Sequence, residues 1–382
     1  MPNRPSFLNV IYNYAETMEN LNEPADQPLR GIRVLDLTRL LPGPMATQHL
    51  ADMGADVIKI EDPGAGDYAR TMGPVRREVS QFFVAVNRGK RFLQLDLKSA
   101  AGRDAFLAMV DDADVVVESF RPGVMDRLGL GWDALRARNP RLVMCAITGY
   151  GQDGPFAQLA GHDINYVGYA GMLEQNAGPD GTPALPNLQV GDLLGGAQAA
   201  VQGILAALLG ARNGGRGRFV DVSMTDAVFA HNIMPLVAVN DHGRTAAPGR
   251  DLLTGGVPCY NVYRTADGRF MAVGSLELKF WQVFCDTIGR PDLRDRHWSL
   301  GQQIGGSDAM AVKAELDALF AGRTLAEWTA VFADKDCCVT PVLRADEALA
   351  HPLFRARGMV RRASHPTEGD HWATGPAVRF RA

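Results

Sequence analysis

The chain has 382 residues, 46% hydrophobic and 21% charged, with 39 basic against 43 acidic side chains and a formal charge of −4. The length fits two ordinary domains or one large one with an insertion, and the composition excludes a disordered or fibrous chain. A net-acidic chain has no global basic field for nucleic acid, and no stretch approaches the roughly 18 unbroken apolar residues of a membrane helix.

Residues 1–30 form an N-terminal extension that carries Glu16, Glu19, Glu23 and Asp26 but only Arg4 and Arg30. That is neither a secretory signal nor an Arg-rich transit peptide. Next, residues 31–38 (GIRVLDLT) predict a buried parallel strand. A Pro-Gly-Pro turn and a helix follow, and residues 56–64 (DVIKIEDPG) predict a second strand ended by an acidic turn. Strand–helix–strand over about 30 residues is a βαβ unit. The pattern recurs as a strand at 91–99, a helix at 102–113, and strands at 114–120 and 141–148. Such alternation predicts a doubly wound, Rossmann-like α/β sheet with ligands at the carboxyl ends of its strands.

Residues 195–212 predict a long Ala-rich helix, and FVDVSM at 219–224 resumes as a strand. The glycines and prolines of 248–258 predict a linker. Two strands round Ala266-Asp267-Gly268 then open a smaller α+β domain, followed by helices at 278–288 and 308–320. The expected division is a large domain of 31–222 and 360–382, a linker at 223–252, a small domain at 253–350 and a return linker at 351–359. Five cysteines, odd in number and without zinc spacing, predict free thiols in a reducing, cytoplasmic setting.

Four constellations carry candidate chemistry. His162 beside Asp163, after Gly161 in an apolar stretch, suits acid/base work. The plainer alternative is a helix start with Asp163 as its cap. Asp192, flanked by Gly191 and by Gly195-Gly196, opens the Ala-rich helix; there it is expected to be ionised and surrounded by free N–H groups, or to be a simple N-cap. Glu277 follows a strand and begins a helix, where a first-turn glutamate complements the helix dipole. Cations at Arg88, Lys90 and Arg91, and at Arg121 and Arg127, sit beside predicted strand ends and suit phosphates, or make an ordinary solvated cluster. No P-loop, GxGxxG or metal-ligand spacing occurs, so no metal or dinucleotide is expected.

Taken in order, GIRVLDLT, LPGPMATQHLADMGADVIKIEDPGAGD, NRGKRFLQLDLKS, VVVESFRPGVMDRLGLGW, PRLVMCAITGYGQDGP, VGDLLGG and CVTPV resemble the class III CoA-transferase family, which includes formyl-CoA and carnitine CoA-transferases and the α-methylacyl-CoA racemases. AGHDINY and LLTGGVPCYNVYRTADGRFMAVGSLELKF resemble the racemase branch; GPVRREVSQFFVAVNRGKR is longer and resembles the transferases.

The resemblance implies an interlocked homodimer that acts on a CoA thioester and holds no permanent cofactor. Its partners would be CoA and acyl-CoA, with no nucleic acid and no membrane. It implies that His162, supported by Glu277, and Asp192 are two acid/bases on opposite faces of the thioester α-carbon, with backbone N–H groups near Asp192 meeting the enolate oxygen. The alternative is CoA transfer through an aspartyl-CoA on Asp192. Lys90, Arg121 and Arg127 match positions that meet CoA phosphates or nucleotide, and Leu40, Asp163 and Tyr166 match the CoA groove. Two departures stand out. Asp62 replaces an arginine that usually meets the nucleotide, so binding there is weaker or Lys59 or Arg70 substitutes. The usual C-terminal helical tail is absent after Ala382.

Overall fold

A computed structural model describes residues 11–13, 27–177 and 181–380. The chain forms two compact units: one of the described residues up to Ala170 with Asn187–His231 and those from Pro352 onward, the other of those in Gly171–Pro186 and Asn232–His351.

The first unit is built on one sheet of β1 (Ile11–Asn13), β2 (Arg33–Asp36), β3 (Asp56–Glu61), β4 (Arg91–Gln94), β5 (Val115–Glu118), β6 (Val143–Thr148) and β7 (Phe219–Ser223). Its order is β1-β4-β3-β2-β5-β6-β7; β1 is antiparallel at the edge and the other six strands are parallel. Counted from β2, the parallel order is 3-2-1-4-5-6, the doubly wound arrangement, with its switch point between β2 and β5.

Successive strand residues point to opposite faces, and both faces are apolar. Val34, Val57, Val115, Val117, Val143 and Cys145 pack with Leu50 of the helix Pro42–Asp52 and Ile204 of the helix Ala199–Gly214. Leu35, Ile58, Ile60, Val116 and Met144 pack with Phe106 and Val110 of the helix Ala100–Val110. Four of the five cysteines are buried, and all five are free thiols.

The second unit holds an antiparallel sheet of β8 (Tyr260–Arg264), β9 (Phe270–Gly274) and β10 (Val339–Pro341), ordered β10-β9-β8. The Asp-Gly turn lies where the sequence puts it, with Gly268 at φ +75°. Its core is aromatic: Trp281, Phe284, Phe320, Trp328 and Phe332 are buried, with the Phe284 and Phe332 rings stacked 5.9 Å apart.

The expected boundaries shift in four places. The supposed linker at 223–252 is helical: Met224–His231 lies in the first unit, where Met224 and Val228 are buried, and Ile233–His242 lies in the second. Pro235 falls in the first turn of the latter helix, where a missing N–H does no harm. Residues 171–186, expected in the large domain, belong to the second unit. The return linker contains the helix Pro352–Ala356, which leads into a hairpin of β11 (Val360–His365) and β12 (Gly369–Thr374) in the first unit. Of the extension, Ile11–Asn13 adds the edge strand and Leu29 is buried in the core; residues 1–10 and 14–26 lie outside the described residues.

The helical run Gly191–Gly214 is apolar and long enough, by composition, to cross a bilayer, which a search for unbroken apolar runs overlooks. Here it is a core helix, with Ala200, Val201, Ile204, Ala207, Leu208 and Ala211 buried.

Candidate active site

His162 is the N-cap of the helix Asp163–Tyr169, with Asp163 its first helical residue rather than its cap. The Asn165 side chain accepts the His162 backbone N–H (3.0 Å), and Tyr166 Oη donates to the Gly161 carbonyl (2.6 Å). A Cβ on Gly161 would stand 2.6 Å from the Tyr166 ring, so only glycine lets this turn close. The imidazole is left exposed at the helix start.

Asp192 is the second residue of a π-helical segment, Gly191–Gln198, that runs into the helix Ala199–Gly214. Such wide turns are rare and cluster at functional sites. A Cβ on Gly195 would lie 2.6 Å from the Met224 carbonyl oxygen, and one on Gly196 2.6 Å from Pro42. Met224 is therefore a buried packing residue of the first unit, while Met234 is exposed on the second.

A hydrogen bond joins the two helix starts: Asp163 Oδ1 accepts the backbone N–H of Asp192 (3.0 Å). Asp163, Tyr166 and Asp192 thus lie together, with His162 next to Asp163 along the chain. Burial, with the Asp163 charge added to it, pushes the Asp192 carboxyl up to about 7. This reverses the expectation of a carboxylate stabilised by free N–H groups. The Asp192 N–H is committed to Asp163, and the Leu193 N–H goes to the Gln189 carbonyl (2.8 Å). Neither is a spare donor for an enolate oxygen. Next to the cluster, Tyr150 meets Tyr166 edge-on at 5.4 Å and Tyr169 at 5.9 Å, and Phe156 meets Tyr169 at 5.7 Å. Phe156 and Tyr169 are exposed, so an aromatic shelf borders the aspartate.

The other candidates gather at the switch point. Leu40 follows β2 with φ +65°, rare for a leucine, and donates its N–H to Asp67 Oδ1 (2.9 Å). Arg121 and Arg127, after β5, are exposed and make no ion pair among the described residues. Arg39, which the residue pattern does not single out, is a further cation here: its guanidinium sits 5.3 Å from the Tyr68 ring centre and 5.5 Å from that of Phe120. The signal that could have found it is an arginine at the end of the first parallel strand and an aromatic just after the fourth. Glu118, at the end of β5, is buried and pushed up to about 8, with one oxygen accepting the Phe120 N–H.

Three expected phosphate ligands are placed otherwise. Lys90 has no exposed side-chain surface; its ammonium meets Asp36 (3.1 Å), the Pro44 carbonyl (2.9 Å) and Asn87 Oδ1 (2.8 Å). Lys59, equally buried, pairs with Asp67 (2.9 Å), and Arg70 pairs with Glu61. A lysine that follows a basic loop reads as a surface cation in sequence, yet Lys90, just before β4, turns inward onto Asp36, Pro44 and Asn87. Asp62 turns its carboxylate onto the Gly64 N–H (2.8 Å). Glu277 lies in the second unit, exposed, as the N-cap of the helix Leu278–Thr287.

A doubly wound sheet with a strained loop at its switch point, and a half-buried aspartate raised to about 7, is the frame of an α/β fold whose ligands are expected at the strand ends. The chain belongs to CoA-transferase family III, whose model matches residues 29–382. It is 36% identical over 331 residues to human alpha-methylacyl-CoA racemase, covering 86% of this chain and 81% of that protein. It is also 36% identical over 336 residues to acetyl-CoA:oxalate CoA-transferase of Acetobacter aceti, covering 87% and 85%. The crystal structure of a CAIB/BAIF family protein from Brucella suis superposes with a TM-score of 0.79 at 28% identity, covering 93% of each chain. The protein is therefore an enzyme of the acyl-CoA racemase and family III CoA-transferase group.

Proposed function

We propose that the protein is an acyl-CoA racemase that moves the α-proton of a 2-methylacyl thioester between two bases. The observation that carries this reading is Asp192, raised to about 7 by burial and by Asp163, the residue that follows His162 and accepts the Asp192 N–H. A group that must both take and return a proton near neutral pH works best with a pKa there. A carboxylate raised that far is, by the same shift, a poorer standing anion. One base removes the proton while the other, protonated, returns one from the opposite face, each contributing about 10²–10⁴-fold. Glu277 keeps the supporting acid/base role that the resemblance implies. Arg39, Arg121 and Arg127 supply charge for the CoA phosphates, and the shelf of Tyr150, Phe156 and Tyr169 suits an apolar acyl chain.

The second reading is CoA transfer, favoured by the equal identity to an oxalate CoA-transferase. Asp192 would attack the thioester carbonyl, expelling CoA thiolate and forming an acyl-aspartyl anhydride; the thiolate then attacks the aspartyl carbonyl, releasing the acid and leaving aspartyl-CoA. His162 has no necessary part in this.

The deciding experiment incubates the protein with (S)-2-methylacyl-CoA in deuterated water without free acid. Deuterium gain with loss of chirality at the α-carbon is expected, abolished in His162→Ala and in Asp192→Ala. Absence of exchange in protein that binds CoA, together with an aspartyl-CoA adduct on Asp192, would replace racemisation by transfer. We also propose the interlocked homodimer and a reducing, cytoplasmic setting. The first is supported by the helix Ile233–His242, which has no buried residue, and the second by the free cysteines.

A further inference from the structure

Beneath the switch point lie two carboxylates and two ammonium groups, Asp36, Asp67, Lys59 and Lys90, all with side chains 0% exposed. Burying ion pairs is a poor route to stability, since well-packed apolar side chains usually do as well or better. What these ions hold is a loop. Asp36 accepts the N–H (2.9 Å) and hydroxyl (2.6 Å) of Thr38, while Lys59 donates to the Thr38 carbonyl (2.7 Å). Asp67 accepts the Leu40 N–H, and Lys90 donates to the Pro44 carbonyl. Asp36 also accepts from Thr47 of the following helix (2.6 Å). A further tie, from the Arg39 N–H to Ser119 Oγ (3.2 Å), reaches the residue just after β5. Leucine at φ +65° is unfavourable on its own, so the bond from Asp67 has something to hold.

We propose that Asp36, Lys59, Asp67 and Lys90 are positioning residues that hold the segment 38–44, the loop after β2 and the first residues of the helix Pro42–Asp52, in the shape that accepts CoA, with Lys90 acting from beneath it and not on a phosphate. The inference rests on the acyl-CoA reading only for the identity of the ligand. Neither lysine needs to touch it. The network fixes the backbone of Leu40, the residue expected to line the CoA groove, and of Arg39, whose guanidinium sits against the Tyr68 and Phe120 rings.

The test uses the full chain with Asp67→Ala and Lys59→Met combined, so that neither charge is left buried alone. Amide hydrogen exchange at residues 38–44 is expected to quicken at least tenfold while β6 stays protected, and the CoA dissociation constant, by calorimetry, to rise at least tenfold. Leu40→Gly then separates positioning from plain stability, because glycine adopts positive φ without help. On the wild-type background it should weaken CoA binding by removing a groove side chain. On the double-variant background it should restore part of the affinity. Unchanged exchange at 38–44 in the folded double variant, or an effect of the same sign on both backgrounds, overturns the proposal. If wild-type protein binds no CoA, the acyl-CoA reading fails and the exchange result alone decides whether the ions hold the loop.

Discussion

Asp192 stores free energy that the fold supplies. Its carboxyl stands at about 7 in the folded chain against an ordinary 3.8, so ionising it opposes folding. The penalty is absent below pH 4, grows as pH rises between those values, and is complete above 7, at about 1.4 kcal/mol per pKa unit. Asp192→Asn should therefore melt higher than wild type at pH 8 and at the same temperature below pH 4, while activity is lost. Melting curves across pH check this, and a constant difference at every pH would show that packing and not charge is responsible. Arg39 makes a second residue-level prediction. Arg39→Ala should weaken CoA binding about tenfold, the scale of one charge-assisted contact, and flatten its salt dependence. Titrations at two salt concentrations read both effects.

At the scale of elements, the wide turn at Gly191–Gln198 depends on its glycines. Gly195→Ala improves helix propensity by about 1 kcal/mol, yet its Cβ would lie 2.6 Å from the Met224 carbonyl, a backbone atom that cannot swing aside. A net destabilisation of about 1–3 kcal/mol is expected, measured by denaturant unfolding, with Asp192 displaced and activity reduced beyond the loss of folded protein. Equal stability would mean that the helix rides over Met224 at no cost. The hairpin β11–β12 anchors a different segment. At its turn, Glu368 accepts the backbone N–H groups of Arg77, Glu78 and Val79, which ties down the long stretch before Lys90.

For the whole molecule, the exposed face of the helix Ile233–His242 matters most. Ile233, Leu236 and Val237 are each more than half exposed, an apolar surface that a lone chain rarely displays. Leu236→Asp with Val237→Asp should shift the proposed dimer toward monomer in sedimentation, leaving the sheet intact by circular dichroism. A wild-type chain that sediments as a monomer would remove the interlocked arrangement.

Much of this was legible in the residues themselves. Alternating apolar strands and helices determined the parallel sheet, since a strand buried on both faces must be apolar throughout, and the order of glycine-marked motifs determined the family. His162, Asp163, Tyr166 and Asp192 were legible as separate pieces. What only the tertiary structure decided was which polar groups face inward and whom they meet. Lys90 and Lys59 look like free cations until the fold buries them against Asp36 and Asp67. The titration of Asp192 depends on its burial and on Asp163, 29 residues away along the chain. Burial and long-range charge are properties of the assembled fold, and no local pattern of residue types encodes them.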